Sequence, residues 1–241
     1  MATIRARGYL IAGVDQNTYH FGYLNPFDGQ IEGFDVDMLD AVAAAIFGTS
    51  VNRIRFVAMS DDQRIPAVRS GEVDIVAHTM TMTCDRWKDV DFSTEYFDAG
   101  QKILVENGSA IKGPQDLAGR KVCATKSSTS LTNLIRYHAR TVAVTYWTDC
   151  LVLLQQGQVD AVSTDDDILA GLAVQDPYTR IVGQSFSDQP YGLAISQQHA
   201  DFVRFVNAVL AQMRADGQWA ASYQRWVSSP APAPPSARYR A

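Results

Sequence analysis

Val68-Arg69-Ser70-Gly71-Glu72-Val73-Asp74-Ile75-Val76 is echoed by Leu154-Gln155-Gln156-Gly157-Gln158-Val159-Asp160-Ala161-Val162 at a constant offset of 86 residues. Each copy reads as the last turn of a helix, a glycine able to take the left-handed conformation that ends it, and a short apolar run of buried-strand type. The repeat predicts two similar α/β units, one early and one in the middle of the chain. Open α/β sheets place ligands beyond the carboxyl ends of their strands, which directs attention to residues 79–86 after the first copy and 164–167 after the second.

Outward from the repeat, short Val- and Ile-rich runs at 9–14, 55–58, 74–77, 102–106, 121–124, 143–146, 161–163 and 192–195 alternate with segments of helical period. This is the pattern of α/β folds with largely parallel strands. Val36, Leu39, Ala43 and Ile46 share a helical face, with Asp35 placed to cap its start and Gly48 to close it. Phe202, Phe205, Val206, Val209, Leu210 and Met213 form a second stripe that ends near Gly217, and both stripes read as core. From Ser228 the composition shifts to Ser, Pro and Ala, so a disordered tail is expected over 228–241.

The composition removes several classes of function. At 241 residues with 46% hydrophobic content the chain can bury a full core. A net charge of -5 and no dense basic run exclude nucleic acid as a partner. No stretch approaches the roughly 18 consecutive apolar residues of a membrane span, and residues 1–7 hold no secretory-type apolar segment. Cys84, Cys123 and Cys150 form no CxxC pair and the four histidines are scattered, so neither a metal nor another cofactor is expected. Cys123 and Cys150 read either as a disulfide or as two buried reduced thiols. Phosphate-loop, HExxH and GxSxG spacings are absent.

Three stretches carry chemistry. Thr79, Thr81, Thr83 and Arg86 put hydroxyls and a guanidinium after a strand, which suits a carboxylate clamp; a surface arginine paired with Asp85 or Asp89 is the alternative. Asp165, Asp166 and Asp167 offer a counter-charge to an ammonium group, or simply an acidic helix start. Lys126, Ser127, Ser128, Thr129 and Ser130 form an anion-binding turn or an ordinary cap. A cation on one unit and an anion on the other complement a zwitterion held between them.

Gly33-Phe34-Asp35-Val36-Asp37, Gly71-Glu72-Val73-Asp74, Thr83-Cys84-Asp85-Arg86, Val90-Asp91-Phe92-Ser93, Asp116-Leu117-Ala118-Gly119-Arg120-Lys121-Val122, Gly157-Gln158-Val159-Asp160 and Asp216-Gly217 with Trp226 stand in an order that resembles the polar-amino-acid branch of bacterial solute-binding proteins, over nearly all of 8–227. The resemblance implies a periplasmic-binding-protein-like fold, with residues 1–98 plus 192–227 as one lobe, 99–191 as the other, and two crossing strands as the hinge. It implies Arg86 for the ligand's α-carboxylate, with help from Thr79, Thr81, Ser128 and Thr129, and Asp165 for its α-ammonium. Gln63-Arg64-Ile65-Pro66 resembles the glutamate and aspartate binders, with Arg64 and then Lys126 as readers of a distal carboxylate, while asparagine and glutamine stay open. Tyr19 or Phe21 is expected over the ligand's aliphatic part.

The expected partner is an ABC permease or a membrane receptor. The expected protein is a monomeric, extracytoplasmic one, whose native gene product carries an export signal and a lipid-attached cysteine. Departures from the family pattern are Tyr19-His20-Phe21 in place of Pro-Pro-Phe, Lys126-Ser127 where a glycine is frequent, and Glu95 before Tyr96. The alternative function is a dehydratase of prephenate or arogenate on the same scaffold. It would require a general acid in the cleft, for which Glu95 and His78 are the only candidates.

Overall fold

The computed structural model describes residues 1–237. Its first part holds helix α1 (Ala2–Arg7), strands β1 (Leu10–Val14), β2 (Asn17–Thr18), β3 (Gly22–Leu24) and β4 (Ile31–Glu32), helix α2 (Phe34–Phe47), β5 (Ile54–Ala58), α3 (Arg64–Ser70), β6 (Ile75–Ala77) and β7 (Asp91–Phe92). The middle holds β8 (Phe97–Glu106), β9 (Lys121–Thr125), α4 (Thr129–Leu134), β10 (Arg140–Val144), α5 (Trp147–Gln155), β11 (Ala161–Asp165), α6 (Asp166–Gln175) and β12 (Thr179–Val182). The chain returns through β13 (Asp188–Tyr191) and β14 (Ala194–Ile195) to α7 (Ala200–Ala215) and α8 (Gln218–Trp226).

Two sheets carry the two lobes, in the orders β5-β1-β6-β14-β7 and β10-β9-β11-β8-β12. They share one plan: a central strand, β1 or β9, has a parallel partner on each side. The next strand outward, β14 or β8, runs antiparallel. The carboxyl ends of the parallel strands in both sheets open on the same cleft, because the residues that follow β6, β9 and β11 line a single cavity.

The repeat is realised in detail. Gly71 and Gly157 adopt φ of 76° and 64°, as helix termination by a left-handed glycine requires. The aspartate three positions on does the same work in both lobes. Asp74 accepts the Ile11 amide at 2.8 Å through its carboxylate and gives its own N–H to the Ile11 carbonyl at 2.9 Å. Asp160 does likewise with Lys121, at 2.7 and 2.8 Å. Each carboxylate pins the start of a strand to the central strand beside it, and so sets the register.

Strand β8 belongs to both lobes. Residues 97–100 pair antiparallel with β13, and the rest pairs with β11 and β12 in the second lobe. The first core is aromatic, with the Phe21 ring 4.9 Å from that of Phe97 and Phe97 stacked 5.5 Å from Tyr191. The second is aliphatic, around Ile103, Val122, Leu151 and Leu169. It is also covalently tied: Cys123 on β9 and Cys150 on α5 form a disulfide with Cα atoms 5.5 Å apart, while Cys84 is exposed and unpaired.

Several local expectations are corrected. Asp35 is not the cap of α2; Gly33 holds that position, and Asp35 lies buried within the first turn. The strand expected at 143–146 lies at Arg140–Val144, because Tyr146 is the cap of α5, its amide held by Asp149 at 3.0 Å. Strands β2, β3, β4, β7, β12 and β13 were not expected; most are two to four residues long and mix polar with apolar side chains. Residues 228–237 form neither helix nor strand, with Ala231 resting on the first lobe's core, and residues 238–241 of the expected tail lie outside the described residues.

The disulfide closes a separation of 27 residues, for which loop-closure entropy gives about 3.5 kcal/mol of stabilisation. Replacing both cysteines by serine is expected to lower unfolding free energy by about 2–4 kcal/mol in denaturant titration. A loss below 0.5 kcal/mol would show that the bond contributes little.

Candidate functional site

Thr79, which follows β6, takes a φ of 41°, a left-handed conformation that a β-branched residue adopts only under constraint. Asp35 supplies the constraint. Its buried carboxylate accepts the Thr79 amide at 2.7 Å and the Tyr96 hydroxyl at 2.5 Å. Burial raises its pKa to about 6 against the pull of these two donors. The turn so held sends the chain along the cleft through Thr81 to a short 3-10 turn at Arg86–Lys88.

Arg86 reaches across the cleft. One guanidinium nitrogen donates to the Thr81 carbonyl at 2.7 Å and the other to the Ser127 carbonyl, in the opposite lobe, at 3.1 Å. Desolvation, with Arg64 nearby, lowers its pKa to about 9, so it remains a cation at neutral pH. Neither Asp85 nor Asp89 is its partner: Asp85 pairs with Lys88 and Asp89 with Arg69. The Ser127 turn is again left-handed, with φ of 62°, and Ser128 caps α4 by accepting the Leu131 amide at 3.0 Å. Thr129, one residue on, shares the Gln189 side-chain oxygen with Thr81, each hydroxyl donating at 2.8 Å.

Asp165 stands at the cap position of α6, yet its side chain accepts none of the helix amides. Its Oδ2 accepts the Tyr191 hydroxyl at 2.7 Å, and its buried Oδ1 has no hydrogen-bond partner. Asp167 faces the same hydroxyl at 3.0 Å. One phenol proton thus serves two carboxyl groups away from water. Burial pushes Asp165 up to about 7, with Asp166 adding and Tyr191 and Arg86 opposing, and pushes Asp167 well above its ordinary range.

Arg64 is buried and already engaged. It donates to the carbonyls of Asp61 and His78 at 3.0 and 2.9 Å and pairs with the Asp61 carboxylate at 3.1 Å. Asp61 itself crosses the cleft, where its Oδ2 accepts the Thr125 hydroxyl.

Arg64, Thr79, Thr81, Arg86, Ser128, Thr129 and Asp165 all line this one cavity. The other expected residues do not. Lys126 is exposed, because the left-handed turn at Ser127 leaves it outside the wall. Phe21 is 1% exposed and packed within the aromatic core. Tyr19 lies at the seam between lobes, where a Cβ on Gly171 would come 2.9 Å from its carbonyl oxygen. Glu95 and His78 are buried behind the wall rather than in it.

Sequence reading missed Asp61, Trp147 and Ile168, whereas Ser130 and Thr164 stood within stretches it singled out; these five complete the lining. Asp61 had a signal, its i,i+3 spacing to Arg64. The walls meet closely, with about 10 Å³ left between them, room for about one water.

Comparison with known proteins agrees with this geometry. The family model of bacterial extracellular solute-binding proteins, family 3, matches residues 10–229. The ABC transporter glutamine-binding protein GlnH of Bacillus subtilis (strain 168) is 37% identical over 231 residues, covering 94% of this chain and 84% of that protein. The solved structure of an ancestral arginine-binding protein bound to glutamine superposes with a TM-score of 0.86 at 34% identity, covering 92% of this chain and 99% of that one. The ancestral amino acid-binding protein AncCDT-1, a precursor of cyclohexadienyl dehydratase, superposes with a TM-score of 0.86 at 32% identity, covering 93% and 98%. The dehydratase scaffold is therefore met here in the form of a binding protein, and binding rather than catalysis is what these relatives have in common. Two α/β lobes of common plan, polar strand ends converging on one cleft, and a family match over almost the whole chain place this protein in family 3 of the bacterial extracellular solute-binding proteins.

Proposed function

We propose that this protein captures one small polar α-amino acid as its zwitterion and presents it to a membrane ABC importer. The observation that carries the reading is the presence of both Arg86 and the unpartnered Oδ1 of Asp165 on the wall of one cavity. A guanidinium binds a carboxylate through two charge-assisted hydrogen bonds. A buried carboxylate oxygen without a donor is an acceptor for an ammonium N–H. Thr81, Ser128 and Thr129 supply further polar atoms around the α-carboxylate, and Trp147 and Ile168 supply apolar surface for the ligand's carbons.

On this reading residues 1–98 with 192–227 move as one lobe and 99–191 as the other. Arg86, which contacts carbonyls of both, would exchange them for ligand as the lobes close. The disulfide supports an oxidising, extracytoplasmic location. A monomer tethered by a lipid-attached cysteine completes the proposal and rests on the family resemblance, as does a membrane receptor in place of the importer. Glutamate and aspartate were the ligands expected from Arg64. Because Arg64 already has Asp61 as its counter-charge, and the Bacillus subtilis relative is named for glutamine, the reading shifts to an uncharged polar side chain.

Calorimetric titration with the twenty amino acids is expected to find one tight, small polar ligand, and Arg86→Ala to cost about 2–4 kcal/mol of its binding free energy. Unchanged affinity in that variant would refute the clamp.

The pH dependence follows from Asp165. Only its ionised form attracts an ammonium, so affinity should weaken as pH falls through about 7, approaching tenfold per unit well below it. Asp165→Asn should weaken binding and flatten that slope. Without ligand the sign is opposite. Asp165 near 7 and Asp35 near 6 both sit above their unfolded values, so folding favours their protonated forms. The unliganded protein should thus gain stability as pH falls from 8 to 5, while the stabilisation produced by ligand shrinks. Melting curves at several pH values, with and without ligand, test both signs.

A further inference from the structure

We infer that Asp61 reads the ligand's side chain, and that with Arg64 it selects a carboxamide over a carboxylate. The inference rests on the zwitterion reading above and deepens it.

The argument starts from an orphaned atom. Asp61 is buried, and its two oxygens differ. Oδ2 accepts the Thr125 hydroxyl from the opposite lobe. Oδ1 is buried without a hydrogen-bond partner, although Asp61 lines the cavity. Two groups approach Oδ1 and neither satisfies it. The Arg64 Nη1 lies 3.1 Å away as an ion pair but directs a hydrogen bond to the His78 carbonyl. The His78 Nδ1 lies 3.6 Å away. The other ring nitrogen of His78 sits 2.9 Å from the Met59 carbonyl oxygen, which only an N–H can face favourably. That ring nitrogen therefore carries a proton in either charge state, and Nδ1 at 3.6 Å is too far from Oδ1 to hydrogen-bond it.

Burial works to raise the Asp61 pKa, but Arg64, His78 and Thr125 overcome it and hold the group below the usual carboxylate range. The charged side chains of the wall are then Arg64 and Arg86 against Asp61 and Asp165, two of each sign. A zwitterion with an uncharged side chain preserves that balance. A distal carboxylate would enter with an unmatched negative charge and bring lone pairs against Oδ1, which costs far more in an enclosed site than in water. A carboxamide does the reverse: its NH2 donates to Oδ1, and its carbonyl faces the adjoining guanidinium. An ion-paired Asp and Arg thus present one acceptor and one donor side by side, matched to the two ends of an amide. A cationic side chain would satisfy Oδ1 but leave the pocket with excess positive charge.

The test is a comparison of near-isosteric ligands, glutamine with glutamate and asparagine with aspartate, by calorimetry at pH 7.5. Arginine is included as the cationic control. In the unaltered protein the preferred amide is expected to bind at least tenfold more tightly than its acid and than arginine. Asp61→Asn is expected to reverse the trend, because it removes the negative charge and can turn an NH2 toward the ligand; the amide-to-acid ratio should fall by tenfold or more. Equal binding of amide and acid by the unaltered protein, tighter binding of arginine, or an unchanged ratio in Asp61→Asn would each overturn the inference. The comparison within the unaltered protein stands even if the variant does not fold. Failure of this inference is separable from failure of the zwitterion reading. If an amino acid binds and Arg86→Ala abolishes it while the amide-to-acid ratio is flat, only the role of Asp61 is lost. If none of the twenty amino acids binds, both are.

Discussion

A parallel strand that stops inside a protein leaves amides and carbonyls which the ladder no longer serves, and this constraint organises the whole cleft. Four strand ends point toward it, and three of them are finished by a short polar side chain or a strained turn. Asp35 takes the amide of left-handed Thr79 beyond β6. Ser128 and the left-handed Ser127 close the chain after β9. Asp15 beyond β1 accepts the amides of Gln16 and Asn17 at 2.7 and 2.9 Å, whereas Asp165, which ends β11, accepts none of the amides of α6. Thr79, Ser128 and Asp165 from these strand ends line the cavity together with Asp61, Arg64 and Arg86.

The two lobes solve this problem with one plan but not with equal results. In both, an aspartate after the left-handed glycine anchors the neighbouring strand, which is why Gly-x-Val-Asp appears twice. Past the strands the copies diverge. The first lobe contributes the guanidinium of Arg86 and the Asp61–Arg64 pair, and the second contributes the orphan oxygen of Asp165. Opposite charges from different lobes give closure an electrostatic reason that neither lobe has alone.

How much of this the sequence disclosed follows from the range over which each feature is determined. Buried strands announce themselves as Val- and Ile-rich runs, and all eight expected strands exist among the described residues, with β10 displaced. The small sheet β2-β3-β4 does not, since two-residue strands such as Asn17–Thr18 have no period to detect. Strand β13 was hidden by Pro190, which normally argues against a strand; at the hinge it is tolerated because its carbonyl still accepts the Met82 amide at 2.8 Å. Arg86, Thr81 and Asp165 were legible from their place after strands. Asp61 was passed over beside Arg64, because an aspartate in a polar loop looks like a turn former until its carboxylate is seen facing the cleft. Lys126 failed for the converse reason: a single left-handed residue after it decides on which side of the wall a side chain emerges.

Strand β8 has a further implication for how such a molecule moves. Its first four residues are bonded to β13 and its remainder to the other lobe's sheet, as one uninterrupted ribbon. Gly100 sits where these meet, with its amide on Asp166 at 3.0 Å and no room for a side chain beside Ser185. Halves joined in this manner cannot glide past each other without tearing the ladder. Torsion of the ribbon would be the inexpensive coordinate, so the mouth would open along a single angular path, and the admissible girth of a guest would be set by that angle rather than by sideways slippage.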